Sequence, residues 1–306
     1  MTLLSSLSRD EVGRRLHHGG LRLQTGEFTF RIQSGIPSVA EGISLLYADY
    51  PLAPQDQFAD FHVSLQSAGG VRRWWRRQVL FDNDGHAPFK PLPLAQAFPM
   101  LEWGLNFCVS NRVNGYLIFH AAVVEKGGRT AILPAPSGSG KSTLCAALVS
   151  RGGWRLLSDE LALVRLDTGE LTPLPRPVSL KNASIGIMRG YAPDAVFSRE
   201  VHDTVKGSVA HMKAPAASVA RAREPARPGW IVFPQYQVGT VATLTPVAPA
   251  EAFMRLAGNA FNYDLLGAAG FDTLGRLTDA APAHEFTYSS LDEALALFSR
   301  LAAGEL

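Results

Sequence analysis

The chain has 306 residues, 46% hydrophobic and only 18% charged, which excludes a disordered chain and predicts a large buried core. Lys+Arg is 29 against 27 for Asp+Glu, a net of +2, so no global field recruits nucleic acid by charge alone. Two cysteines, no apolar run near the roughly 18 residues that span a bilayer, and no basic-then-apolar start over residues 1–10 predict a soluble cytoplasmic protein with reduced thiols and no membrane partner.

In chain order, Ser8 and Glu11 form a capping box, which predicts a helix through Leu16 with a stop at Gly19-Gly20. Phe28, Phe30 and Ile32 alternate with polar residues as in a strand, and Phe61, Val63 and Leu65 do the same. A third strand is expected over 71–81, with a short helix over 39–47 and a longer one over 94–113. Residues 116–124 form a mostly apolar strand and 129–133 another, joined as a hairpin at Gly127-Gly128. A helix is expected over 141–151, strands over 154–157 and 161–166, a hairpin turn over 167–170 and a strand over 177–181. Residues 182–228, rich in Ala, Pro and Arg, show no clear period beyond 208–212 and suggest a mobile loop at an active site. Strands at 230–233 and 240–244, helices at 249–256 and 263–277, and a last helix opened by the capping box Ser290 and Glu293 complete the chain. The organisation is α/β, with an N-terminal α/β module over 1–114 and a second unit over 115–306.

The most informative stretch is Ala135-Pro136-Ser137-Gly138-Ser139-Gly140-Lys141-Ser142-Thr143, which follows a strand and opens a helix. That context turns a Walker A-like string into a mechanism. Gly138 and Gly140 let the backbone curl around phosphate oxygens, and the helix N-terminus adds partial positive charge. Pro136, Ser137, Gly138, Ser139, Gly140, Lys141, Ser142 and Thr143 are therefore the expected nucleotide cradle. Lys141 is expected at the β- and γ-phosphates, and the Ser142 hydroxyl at Mg²⁺. Asp159-Glu160, at the end of an apolar strand, supplies two carboxylates, one for Mg²⁺ and one for proton transfer. His120 ends the strand before the hairpin. Four of the six lysines, Lys141, Lys181, Lys206 and Lys213, lie in one quarter of the chain, as compact charges do where phosphates are met. Lys181, Lys206, His211, Lys213 and Arg176 are candidates to close over a γ-phosphate. Arg72-Arg73-Trp74-Trp75-Arg76-Arg77 fits either a docking edge for an acidic peptide or an edge strand protected by charge.

Phe119-His120-Ala121, the hairpin, the Ser-Gly-Ser-Gly-Lys-Ser loop and Arg155-Leu156-Leu157-Ser158-Asp159-Glu160, in that order, resemble the catalytic domain of HPr kinase/phosphorylase. Residues 175–181 and 209–215 bring the likeness closest to the HPr-kinase-related kinase A group. The resemblance covers roughly 115–215 well and the first third more loosely. It implies a phosphoenolpyruvate-carboxykinase-like fold, a mixed sheet around a P-loop, and ATP- and Mg²⁺-dependent phosphoryl transfer to a hydroxyl. It implies Asp159 as general base supported by His120, and Glu160 as a metal ligand; the loop itself adds Ser142 as a metal ligand and Lys141 as a catalytic residue, and Lys213 is expected at the nucleotide from its place after the acidic pair. The acceptor it implies is a serine of a peptide or protein, or a small metabolite, and relatives are often homo-oligomers. The alternatives are a P-loop ATPase or switch, and a nucleotide-binding partner of a peptide-modification system that does not turn over.

Overall fold

The computed structural model describes residues 2–69, 75–136 and 138–306. The first part runs β1 (Thr2–Leu3), α1 (Arg9–His17), β2 (Leu21–Thr25), β3 (Phe28–Ser34), α2 (Pro37–Leu46), β4 (Pro51–Leu52), β5 (Phe61–Ser67), β6 (Gln78–Asn83), β7 (Leu92–Pro93) and α3 (Ala97–Arg112). The Ser8 hydroxyl accepts the Glu11 N–H at 3.2 Å, so the capping box sets the start of α1. The alternation in β3 places Phe30 opposite Phe61 of the parallel strand β5, and the two rings stack at 4.9 Å. These strands form one sheet in the order β1-β4-β2-β3-β5-β6-β7. Of the basic stretch, 72–74 lie outside the described residues. The expected strand does not extend over 75–77: Arg76 has φ +51° and β6 begins at Gln78.

The chain continues with β8 (Tyr116–Phe119), β9 (Ala121–Lys126), β10 (Arg129–Pro134), α4 (Lys141–Ser150), β11 (Arg155–Ser158), β12 (Ala162–Arg165), β13 (Leu171–Thr172) and β14 (Val178–Lys181). Then come α5 (Ala183–Tyr191), β15 (Val201–Thr204), β16 (Gly207–Met212), α6 (Ala216–Ala220), β17 (Arg227–Tyr236) and β18 (Thr243–Val247). The last elements are α7 (Pro249–Ala257), α8 (Tyr263–Leu266), α9 (Ala268–Ala280), β19 (Ala283–Tyr288) and α10 (Leu291–Ala303). The architecture is α/β with mixed sheets. A six-stranded sheet has the order β11-β9-β10-β17-β19-β18, with β10, β17 and β19 mutually parallel and the other pairs antiparallel. Two three-stranded antiparallel sheets, β13-β12-β8 and β14-β16-β15, complete it.

Three further expectations change. The strand over 116–124 is two strands in different sheets: β8 pairs with β12, β9 pairs with β10 and β11, and the chain crosses over at His120. The 182–228 stretch holds α5, β15, β16 and α6 rather than a loop, with Ile185, Met188, Val209 and Met212 buried. The helix over 263–277 is split into α8 and α9 at Gly267, whose φ is +55°.

One buried apolar cluster contains Phe81, Phe98 and Leu105 from the first part together with Leu144, Val178, Leu180 and Met212 from the second. Beside it, Arg176 is buried and forms an ion pair with Glu102 of α3 at 2.5 Å and a hydrogen bond to Asn106 Oδ1 at 2.7 Å. Tyr47 OH donates to the other Glu102 oxygen at 2.7 Å, so every charge taken from water here is matched by a partner. No helix among the described residues is long and apolar enough to cross a membrane.

Candidate functional site

Strand direction brings the site together. β10, β17 and β19 are parallel, and β11 runs the same way because both β10 and β11 are antiparallel to β9. Four carboxyl ends therefore reach one edge of the sheet, the usual place for a ligand in α/β folds. β10 delivers the glycine loop, β11 delivers Asp159 and Glu160, β17 ends at Tyr236 and β19 at Tyr288. His120 precedes β9 at the same edge.

The loop turns through Gly138 (φ +92°) and Gly140 (φ +90°) into α4, with Gly140 as the residue capping the helix. Gly140 C=O accepts both Leu144 N–H at 2.9 Å and the Tyr288 hydroxyl at 3.0 Å. Tyr236 N–H donates to Ser139 C=O at 2.9 Å. Two tyrosines that follow no motif thus fasten the loop. Ser137 lies outside the described residues.

These groups face a cavity of about 720 Å³ lined by Pro136, Gly138, Ser139, Gly140, Lys141, Ser142, Thr143, His120, Glu160, Lys181 and Lys206, with Tyr236, Tyr288, Ile187 and Leu291 also on its wall. Lys141 is only 6% exposed, and its Nζ lies 3.1 Å from His120 Nε2. An ammonium can only donate, so Nε2 accepts and the imidazole is neutral with its proton on Nδ1. Burial, reinforced by Lys141, moves His120 down to about 4, in agreement with that tautomer. Burial also lowers Lys141.

The carboxylates divide the space differently from the expectation. Glu160 lies in the cavity, 3.9 Å from His120 Nε2 and 3.9 Å from Lys181 Nζ. Asp159 sits behind the loop, 4% exposed, where its Oδ2 accepts Ser142 Oγ–H at 3.2 Å and Ser179 N–H at 3.0 Å. His120 therefore faces Glu160, not Asp159. Burial raises Asp159 to about 6, helped by the negative charge of Glu160. Burial pushes Glu160 up as well, but Lys141, Lys181 and Lys206 outweigh it and hold the carboxylate below its ordinary range. Three ammonium groups around one exposed-facing carboxylate leave the cavity with positive charge to spare, which suits an anionic ligand.

Other expected residues lie elsewhere. Lys213 pairs with Asp49 at 2.8 Å and lines a separate pocket behind α5, so it is not one of the cavity lysines. Arg176 is used up in its pair with Glu102. His211 is 1% exposed and lines a small inner cavity behind Asp159.

Among the described residues no group of three or more His, Cys, Asp or Glu side chains is arranged to hold a metal alone. Mg²⁺ does not require one, because it commonly takes one or two carboxylates and a hydroxyl with waters and phosphate oxygens. Ser142 Oγ, the Asp159 carboxylate bonded to it, and Glu160 fit that donor set, all of them hard oxygens beside the glycine loop. No protein-family model matches the chain, and no curated protein matches it in sequence.

Proposed function

We propose that the chain is an ATP- and Mg²⁺-dependent kinase that moves the γ-phosphate to a hydroxyl, on a P-loop core of the phosphoenolpyruvate-carboxykinase-like kind. The observation that carries this is the meeting, in one cavity, of a helix-capping glycine loop, a buried lysine and a cavity-facing carboxylate of the 159–160 pair.

The loop and the start of α4 offer backbone donors and the helix dipole to the β- and γ-phosphates. Lys141, desolvated and held by His120, aims its charge at them. Lys181 and Lys206 flank the outgoing phosphoryl group. Ser142 and the Asp159 carboxylate bonded to it are the residues that would hold Mg²⁺, which when bound would draw charge from the phosphate oxygens. The acceptor oxygen attacks the γ-phosphorus, the bond to the bridging oxygen breaks, ADP leaves and the hydroxyl proton passes to Glu160. On this proposal the roles expected of the acidic pair are exchanged: Asp159 serves the metal side with Ser142, and Glu160 takes the proton. The same lysines that depress Glu160 turn to the phosphates once these arrive, so its basicity rises when nucleotide is in place.

Incubation with γ-labelled ATP and extracts of hydroxyl-bearing peptides, proteins and metabolites tests this. Label on an acceptor, lost in Glu160→Gln with nucleotide binding retained, is the expected result. Acceptor-independent release of labelled phosphate assigns the chain instead to the ATPase class, with Glu160 polarising water. Binding without either product leaves only a nucleotide-holding role.

A further inference from the structure

Behind Asp159 lies a second cavity of about 20 Å³, bounded by α3, β14, β16 and the end of β11. Four buried side-chain atoms on its wall find no hydrogen-bond partner among the described residues: Asp159 Oδ1, Ser179 Oγ, His211 Nε2 and Trp103 Nε1. Unpartnered buried polar atoms are rare, and four around one small space form a pattern. Ser179 and His211 are directly opposed in the β14–β16 register, so their side chains share the face that looks into it. A volume of roughly 15 Å³ or more holds one water when several polar groups surround it.

We propose that this cavity binds one ordered water and that His211 is a positioning residue for the acidic pair. The stoichiometry of donors closes. A water donates twice, to Asp159 Oδ1 and to the His211 Nε2 lone pair, and accepts twice, from Trp103 Nε1–H and Ser179 Oγ–H. With its proton on Nδ1, a neutral His211 ring offers the Nε2 lone pair to that water, and burial, which lowers His211, favours the neutral ring. With Oδ1 held from behind, Oδ2 stays on Ser142 and Ser179 N–H. Trp103 links the arrangement to the larger cavity, since Lys206 Nζ lies 5.1 Å from the centre of its ring. The first part of the chain, through α3, would thereby help to aim a carboxylate carried by the second. The water follows from the packing alone; its effect on nucleotide rests on the kinase reading above.

A crystal structure of the full chain that resolves ordered solvent tests the water, and Mg²⁺-dependent binding of a non-hydrolysable ATP analogue tests the role. A spherical peak within about 3.2 Å of Asp159 Oδ1 and His211 Nε2 is expected. His211→Leu should weaken Mg²⁺-dependent binding about 10–100-fold, as loss of an orienting partner typically does, while binding without Mg²⁺ is unchanged. His211→Gln restores an acceptor and should stay within a few-fold of wild type. Trp103→Phe, which keeps a ring under Lys206, gives a second folded variant, expected to weaken Mg²⁺-dependent binding less than His211→Leu. No peak, or a peak that touches neither Asp159 nor His211, overturns the water. Equal Mg²⁺ dependence in His211→Leu and wild type overturns the positioning role. If wild type fails to bind the analogue at all, the kinase reading falls and the positioning role falls with it, while the density still decides the water.

Discussion

Replacing Gly140 by Ala perturbs the loop at one defined point. The residue has φ +90°, where an L side chain is strained by about 1–2 kcal/mol. A Cβ there would stand 2.5 Å from the Tyr288 hydroxyl and 3.0 Å from Tyr236 Cβ, so the tyrosines or the loop must move, at about 1–3 kcal/mol more. Gly140→Ala should therefore lose about 2–5 kcal/mol in denaturant unfolding, and nucleotide affinity should fall because the loop is displaced. Tyr288→Phe removes only the bond to Gly140 C=O, about 1 kcal/mol. In the double variant the hydroxyl oxygen that the new methyl would meet is gone, leaving the strain in φ and the contact with Tyr236. The two changes should fall short of additivity by about 1 kcal/mol, beyond the ~0.5 kcal/mol scatter of independent sites. Urea unfolding and calorimetric titration with an ATP analogue on all four proteins measure this. Strict additivity, or a Gly140→Ala protein that binds and unfolds as wild type does, refutes the idea that Tyr236 and Tyr288 hold the loop.

Lys141→Met should weaken analogue binding about 10–100-fold, the loss of a charged hydrogen bond of roughly 1.5–3 kcal/mol. It should also move the His120 imidazole upward from about 4, since Lys141 is one of the charges that lowers it, and an NMR titration reads this directly. Lys213→Ala should leave binding within about twofold and cost at most ~1 kcal/mol of stability, because that lysine serves Asp49. His120 also sets a pH dependence. Its folded value of about 4 lies below the ordinary 6.5, so the unfolded chain takes up the proton first. Wild type should lose stability relative to His120→Gln as pH falls from 6.5 towards 4, by about 3 kcal/mol at most and about half that for a side chain 31% exposed. Parallel unfolding curves for the two proteins across that window contradict the neutral, buried imidazole.

Local chemistry made the loop and the capped helices legible. Ser8 with Glu11 and Ser290 with Glu293 mark helix starts because a hydroxyl and a backbone donor three residues on meet in space whatever the rest of the fold does. The strand–glycine–lysine context is equally local. What sequence could not carry was direction and pairing. An apolar run over 116–124 is the same string whether it serves one sheet or crosses between two at His120. β19 was missed although Phe286 and Tyr288 alternate, and with it Tyr288; the run is short, and its pairing with β17 gives it its place. Lys206 and Lys213 look alike as lysines near the acidic pair. Only the fold gives one to the cavity and the other to Asp49. The same holds for Asp159 and Glu160: they are alike as adjacent carboxylates after an apolar strand, and which of them faces the cavity depends on Ser142 and Ser179 holding Asp159 inward.

The most direct measurement is a structure of the full chain with Mg²⁺ and a non-hydrolysable ATP analogue. The account predicts the terminal phosphate in the loop, bonded to Lys141, with Glu160 facing the open side where an acceptor oxygen would approach. A nucleotide seated elsewhere, or no saturable binding at millimolar analogue, would contradict it.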